Sequence, residues 1–360
     1  MRISLKTLLT VAAAAFALAS PAGAQEKAVD VHRIVAEATK IAVHTHEIVL
    51  DALEHAHAIE QRHGERGRIE QTERISKAVK IGASGQLDLS NISGTIIITA
   101  GPGDEVKIEA VKRGRGDTDE EAKTQLTYVT VEITERPGRV DVRTRYKEGE
   151  RHVNVSVDYT VTAPAGTRLT ARSISGDIRV TGAKGDLDVE SVSGDVTIAD
   201  AGQLARAKTV SGNVDIQGAT SNGTLDIGSV SGDVRAKGVK ARRIEAGTVS
   251  GDAELADTTC DAATMKSVSG DVSFSGALSK AGRYEFRSHS GDVRLTVAAE
   301  PGFELEASTF SGSIDSELPL TVGGEKGAAV SKRTLHGVYG DGSATIDVTT
   351  FSGGVVIRKR

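Results

Sequence analysis

The chain has 360 residues, with 44 Lys and Arg against 49 Asp and Glu, for a formal net charge of −5. Both signs are interspersed, so the basic patch or stripe that marks a nucleic-acid binder is missing from the composition. One cysteine rules out an internal disulfide. With no tryptophan and 3% aromatic residues, few side chains could stack on sugars.

Residues 1–24 read as a secretory signal peptide. Arg2 and Lys6 supply the positive start, Leu8 to Ala19 the apolar stretch, and Ala22-Gly23-Ala24 the small-residue cleavage site. No later segment is long and apolar enough for a membrane helix, so the expected location is the periplasm or the cell exterior. No cysteine directly follows the apolar stretch at the expected cleavage site, which argues against lipid attachment. Residues 25–77 are expected to be a helical segment. Ile34, Ala38, Ile41, Thr45, Ile48, Ala52, His55 and Ile59 alternate at three and four residues, as on a helix that buries one stripe. That helix would pack on the rest of the chain or pair copies of it into a homo-oligomer. Six of the nine histidines lie here: His32, His44, His46, His55, His57 and His63. His44/His46 and His55/His57 are two apart and point away from each other on a helix, so no metal site is expected.

From 78 to 171 the hydrophobic period is two, predicting a β-rich first region. Strands are expected at Gln86–Leu89, Gly94–Thr99, Glu105–Val111, Tyr128–Glu135, Arg139–Arg145 and Val153–Ala163. Asp117-Thr118 should cap one short helix through Glu120, Glu121 and Lys123.

The region 172–360 carries a Ser-Gly-Asp motif every 18 to 21 residues. Its corners are Gly176-Asp177, Gly194-Asp195, Gly212-Asn213, Gly232-Asp233, Gly251-Asp252, Gly270-Asp271 and Gly291-Asp292. Degenerate copies lie at Gly312 and Gly353, and an isolated early copy lies at Gly94. A fixed period near 20 predicts a β-solenoid of stacked coils. In the unit Leu187–Asp200, Leu187 and Val189 face inward before the motif, and Val196 and Ile198 after it. The parity changes at the corner, and glycine tolerates the bend this requires. A looser second corner is expected at Gly182–Gly185, Gly202, Gly218–Gly223 and Gly238. The residue before each Ser reads Ile174, Val192, Val210, Val230, Val249, Val268, His289, Phe310 and Phe351, and is expected to form a core column. Phe274, Phe286, Phe303, Phe310 and Phe351 should widen and cap the C-terminal end. Stacked aspartates about 4.8 Å apart repel by about 0.9 kcal/mol in water, tolerable at a solvated turn. Calcium-binding rolls use a nine-residue repeat; here one Asp returns at twice that period, so the column is read as structural, with no metal and no cofactor. Gly312 to Gly353 spans two coils and holds a glycine-rich stretch, Gly323 to Gly342.

The stretch Tyr159-Thr-Val-Thr-Ala-Pro-Ala-Gly-Thr-Arg-Leu-Thr-Ala-Arg-Ser-Ile-Ser-Gly-Asp-Ile178 and the Ser-Val-Ser-Gly-Asp-Val units after it resemble a known bacterial family. Its members are β-strand-repeat proteins provisionally labelled adhesins, a domain of unknown function. The closing Gly342-Ser-Ala-Thr-Ile-Asp-Val-Thr-Thr-Phe-Ser-Gly353 is similar to the family's end. The resemblance covers about residues 79–360 and implies an envelope-associated β-solenoid without a known catalytic residue. The expected function is therefore a non-enzymatic, adhesin-like or scaffold protein that binds an envelope protein or glycan. A polysaccharide-active enzyme and a self-assembling envelope protein are the alternatives. Equivalent carboxylates in every repeat single out no catalytic pair, which weighs against the enzyme.

Overall fold

The computed structural model describes residues 69–147, 149–150, 153–298, 300–321 and 333–360. The expected signal peptide, the histidine-rich segment and residues 323–332 of the glycine-rich stretch lie outside the described residues.

The described chain opens with β1 (Ile69–Lys80), β2 (Gln86–Ser93), β3 (Ile96–Gly101) and β4 (Glu105–Gly116). Helix α1 (Asp119–Leu126) follows, then β5 (Val129–Arg136), β6 (Arg139–Tyr146) and β7 (Val155–Pro164). β8 (Arg168–Ser175) and β9 (Ile178–Thr181) form the first regular repeat, and β10 (Asp186–Ser193) and β11 (Val196–Ala199) the second. The six strands expected before Ala163 are all present, and so is the inserted helix. Thr118 caps it, its hydroxyl accepting the Glu121 N–H at 3.1 Å. Glu121 reaches back to accept the Asp117 N–H at 2.9 Å, as in a capping box.

Each repeat contributes one strand to each of two ladders. β2, β8 and β10 pair in parallel and in register: Leu87 faces Leu169, which faces Leu187. On the other side of the corner, Ile96, Ile178, Val196, Val214, Val234, Ala253 and Val272 follow one another in register. Both rows are buried and belong to one contiguous core. The core grows toward the C-terminus. Phe274 lies 5.8 Å from Tyr284 and 5.3 Å from Phe286, ring centre to ring centre, and all three are buried.

The stacking order is not the chain order. The early copy, β2 with β3, sits between β6 with β7 and β8 with β9. The final copy, Ala344–Ser352 with Val355–Lys359, is inserted between Arg283–Ser290 with Val293–Val297 and Phe303–Ser311 with Ile314–Ser316. Antiparallel strands finish both ends. β1 pairs with β4, β4 with β7, β5 with β6, and Thr334–Tyr339 with Phe303–Ser311.

The expectation of a single-chain β-solenoid is corrected, and that of a long N-terminal α-helix is corrected where it reached into residues 69–77, the rest of that helix lying outside the described residues. Among the described residues, 25 strands make one hydrogen-bonded sheet that wraps its core as a near-closed barrel. At the N-terminal end the edge strands β1 and β5 converge, joined by a Lys77–Glu135 ion pair at 2.6 Å. The repeat period encodes the rung spacing; it does not specify the antiparallel strands or the out-of-order insertion. Among the described residues the only helix is the short α1. The expected helical segment reached Lys77, yet residues 69–77 belong to β1, whose twelve residues pair along β4.

The corner column and the apolar ridge

The repeated corners form three parallel columns of interactions. The first is glycine. Gly194 has φ +146° and Gly232 φ +144°, backbone angles that L side chains rarely adopt. A Cβ on Gly194 would lie 2.3 Å from the Gly176 carbonyl oxygen, and one on Gly232 would lie 2.0 Å from that of Gly212. The glycines thus stack directly on one another, continuing to Gly353 over Gly291 and Gly312 over Gly353. Gly251, Gly270 and Gly291 repeat this arrangement, and Gly94 begins it against the Val157 carbonyl.

The second column is carboxylate. Asp177 Oδ1 accepts the backbone N–H of Asp195 at 3.0 Å, and Asp195 Oδ1 that of Asn213 at 2.8 Å. Asn213 Oδ1 accepts from Asp233 N–H at 2.9 Å. The chain continues through Asp233, Asp252 and Asp271 to Asp292, which accepts from Gly354. In the early copy, Asp158 of β7 accepts the Thr95 N–H at 2.9 Å in the same way. Each side chain therefore satisfies a backbone donor of the next rung, and an amide oxygen serves as well as a carboxylate. Arginines hold the outer oxygens at several rungs: Arg179 on Asp177, Arg235 on Asp233, and Arg294 on both Asp271 and Asp292. Burial alone would raise the Asp271 pKa. The Arg294 hydrogen bond, the Asp292 N–H and the Arg294 charge outweigh burial and hold it below the ordinary carboxylate value.

The third column is hydroxyl, and the sequence reading missed it. Two residues before the motif Ser, from Ser193 onward, a buried Ser or Thr donates to the glycine carbonyl of the preceding rung. Thr209 reaches Gly194 O at 3.0 Å, Ser229 Gly212 O at 2.8 Å, and Thr248 Gly232 O at 2.9 Å. Ser267, Ser288, Thr350 and Thr309 continue the pattern. In the early copy Asn91 takes this place and donates to Gly94 O at 3.0 Å. That oxygen is the one Ser173 would need, and Ser173 Oγ is buried without a hydrogen-bond partner.

The residue between hydroxyl and motif faces outward. Ile174, Val192, Val210, Val230, Val249, Val268 and His289 are half-buried, and Phe351 and Phe310 are 43% and 59% exposed. The expected core column is therefore corrected to a surface ridge, which Ile92 extends at the other end. Parity explains it: with Leu187 and Val189 inward, Ser191 is inward and Val192 outward. At its C-terminal end the ridge becomes a ring stack. His289 lies 4.8 Å from Phe351 at 7°, and Phe351 lies 4.7 Å from Phe310 at 3°. Partial burial lowers the His289 pKa, favouring the neutral imidazole on the stack. The C-terminal aromatics thus divide, with Phe274, Phe286 and Phe303 filling the core and Phe310 and Phe351 facing solvent.

Away from the corner, Glu190 accepts from Arg206 at 2.8 Å and from Arg172 at 3.2 Å. Burial would raise its pKa, but these two arginines lower it, whereas burial raises that of Asp188 nearby. Among the described residues no group of three or more His, Cys, Asp or Glu is placed to hold a metal ion. Cys260 is buried, and burial, with the charge of Asp261, pushes its thiol pKa up to about 12.

This corner recurs across most of the chain and defines its class. Residues 86–358 match the model of the Toastrack DUF4097 family, and the chain belongs to that family. Similar solved structures include a protein from Bacteroides fragilis provisionally described as an adhesin. It is 13% identical, with 80% of this chain and 97% of that chain covered and a TM-score of 0.39. A protein from Parabacteroides distasonis provisionally described as lipid-binding is 12% identical, covering 79% and 96%, with a TM-score of 0.35. A protein from Clostridium sporogenes provisionally described as a cell adhesion protein is 9% identical, covering 81% and 100%, with a TM-score of 0.24. No curated protein matches the chain.

Proposed function

We propose that the protein is a secreted or periplasmic, non-enzymatic scaffold or adhesin-like protein that holds an envelope partner along the apolar ridge. The observation that carries this reading is the outward column from Ile92 to Phe310. It is continuous, faces outward and ends in stacked, exposed rings. The corner carboxylates support a non-enzymatic role, since one oxygen of each is engaged by a backbone N–H of the next rung. The partner is an envelope protein or glycan with an apolar face.

The test is a Phe310→Ser, Phe351→Ser double variant, checked for unchanged thermal unfolding. Wild type and variant, immobilised at equal density, are exposed to the envelope fraction of the source cells. A species retained by wild type and lost by the variant is the expected result. Equal retention by both removes the ridge from the function.

A further inference from the structure

The opposite edge of the strands carries a different surface. The strand Val234–Lys237 leaves the Ser-Gly-Asp corner and ends at a turn on Gly238, φ +66°. Lys237, Lys240, Arg242 and Arg243 surround that turn, four cations in seven residues of a chain whose net charge is −5. All four are exposed. Elsewhere cations are commonly paired, as Lys208 is with Asp226, or Arg206 with Glu190. These four make no side-chain hydrogen bond or ion pair among the described residues.

Their neighbours explain why. Lys237 lies in register with Gln217 and Ala256, Lys240 with Thr220 and Thr259, and Arg243 with Thr224 and Ala262. None of these six is acidic; Arg242, between Ala241 and Arg243, stands opposite Asp261. The carboxylates near the edge are engaged: Asp257 accepts from Arg360, and Asp261 from Ser279 Oγ at 2.9 Å. Glu245 alone flanks the patch along its own strand. The rungs 214–228, 233–250 and 253–262 hold no aromatic residue, so the edge offers no stacking platform for a base or a sugar. A turn that projects long, unpaired cations suits a flat array of anions better than an enclosed ligand.

We propose that this edge is a peripheral docking surface for anionic phospholipid headgroups, separate from the ridge. Each cation near such a surface raises partitioning roughly fivefold, and salt screens the attraction. The test is co-sedimentation of the full chain with phosphatidylcholine vesicles, with and without phosphatidylglycerol. Wild type should bind the anionic vesicles and release them at about 0.5 M salt. Lys237→Gln, Lys240→Gln, Arg242→Gln, Arg243→Gln, all solvent-facing, should lower binding by at least about tenfold with unchanged thermal unfolding. The ridge variant should bind as wild type does, so failure of the ridge reading and failure of this one are separable. The proposal is overturned by wild type that ignores anionic vesicles, by equal binding to neutral ones, or by a quadruple variant that binds undiminished. Charge-dependent capture by soluble dextran sulfate, without vesicle binding, would reassign the edge to a soluble polyanion.

Discussion

Replacing Gly232 by alanine tests the corner directly. The new Cβ would meet the Gly212 carbonyl oxygen at 2.0 Å and its carbon at 2.6 Å. That carbonyl cannot swing away freely, because it accepts the Ser229 hydroxyl at 2.8 Å. The backbone angle of +144° adds strain that alanine does not tolerate. Strain of this kind costs about 1–3 kcal/mol, and forcing packed groups apart costs about 1–3 kcal/mol more. Gly232→Ala should therefore destabilise the fold by about 2–6 kcal/mol. Gly223→Ala is the control: nothing lies within 4 Å of its Cβ position. It should fall within about 0.5 kcal/mol of wild type. Urea unfolding followed by far-UV circular dichroism measures both. If Gly232→Ala unfolds within about 1 kcal/mol of wild type, stacked glycine carbonyls are not what demands glycine here.

The other predictions concern side chains that the corner or the core holds. Asp252→Ala removes the acceptor of the Asp271 N–H and should cost about 1–2 kcal/mol in urea unfolding. Asp252→Asn should cost much less, because Asn213 already performs this role with an amide oxygen. Asp271 has a depressed folded pKa, so its stabilising contribution is complete above the ordinary carboxylate range. It is lost as pH falls through that range toward the lower folded value. Thermal unfolding of Asp271→Asn should accordingly show a shallower loss of Tm with acidification than wild type. Cys260, buried and with its thiol raised, should resist alkylation by iodoacetamide at neutral pH and react fully in urea; rapid native labelling, read by mass spectrometry, would contradict its placement.

Much of the local structure is legible in the sequence. The alternation around Leu187, Val189, Val196 and Ile198 gives the buried faces correctly, and the parity flip locates the bend at glycine. The same alternation, extended two residues, places Ser191 inside and Val192 outside. Hydrophobicity then points the other way, and the reading that followed it put the valine column in the core. The missing information is the partner: a serine can be buried because the glycine carbonyl of another rung accepts its hydrogen bond, and that carbonyl is 15 residues or more away in the chain. Asn213 similarly looks like a break in the aspartate column. In the folded molecule only its acceptor oxygen matters. Phe310 and Phe351 could not be separated from Phe274 by composition; their position relative to the Ser-Gly pair does separate them. The order of the last copies, and the strand at Ile69, depend on pairings that no local pattern encodes.

The inserted final copy has a consequence for assembly. Phe303–Ser311 has Thr334–Tyr339 on one side and Ala344–Ser352 on the other, and Gly353 separates Gly291 from Gly312. Ala344–Lys359 therefore fills a slot between two segments that precede it in the chain. Growth from the N-terminus can seat rungs in turn only as far as Val297. The hairpin of Phe303–Ser311 and Thr334–Tyr339 must then wait, with one edge open, until the closing residues arrive. The copy Ala344–Lys359 acts as a keystone, and without it the sheet would be left with two unmatched strand edges at a place where it now has none.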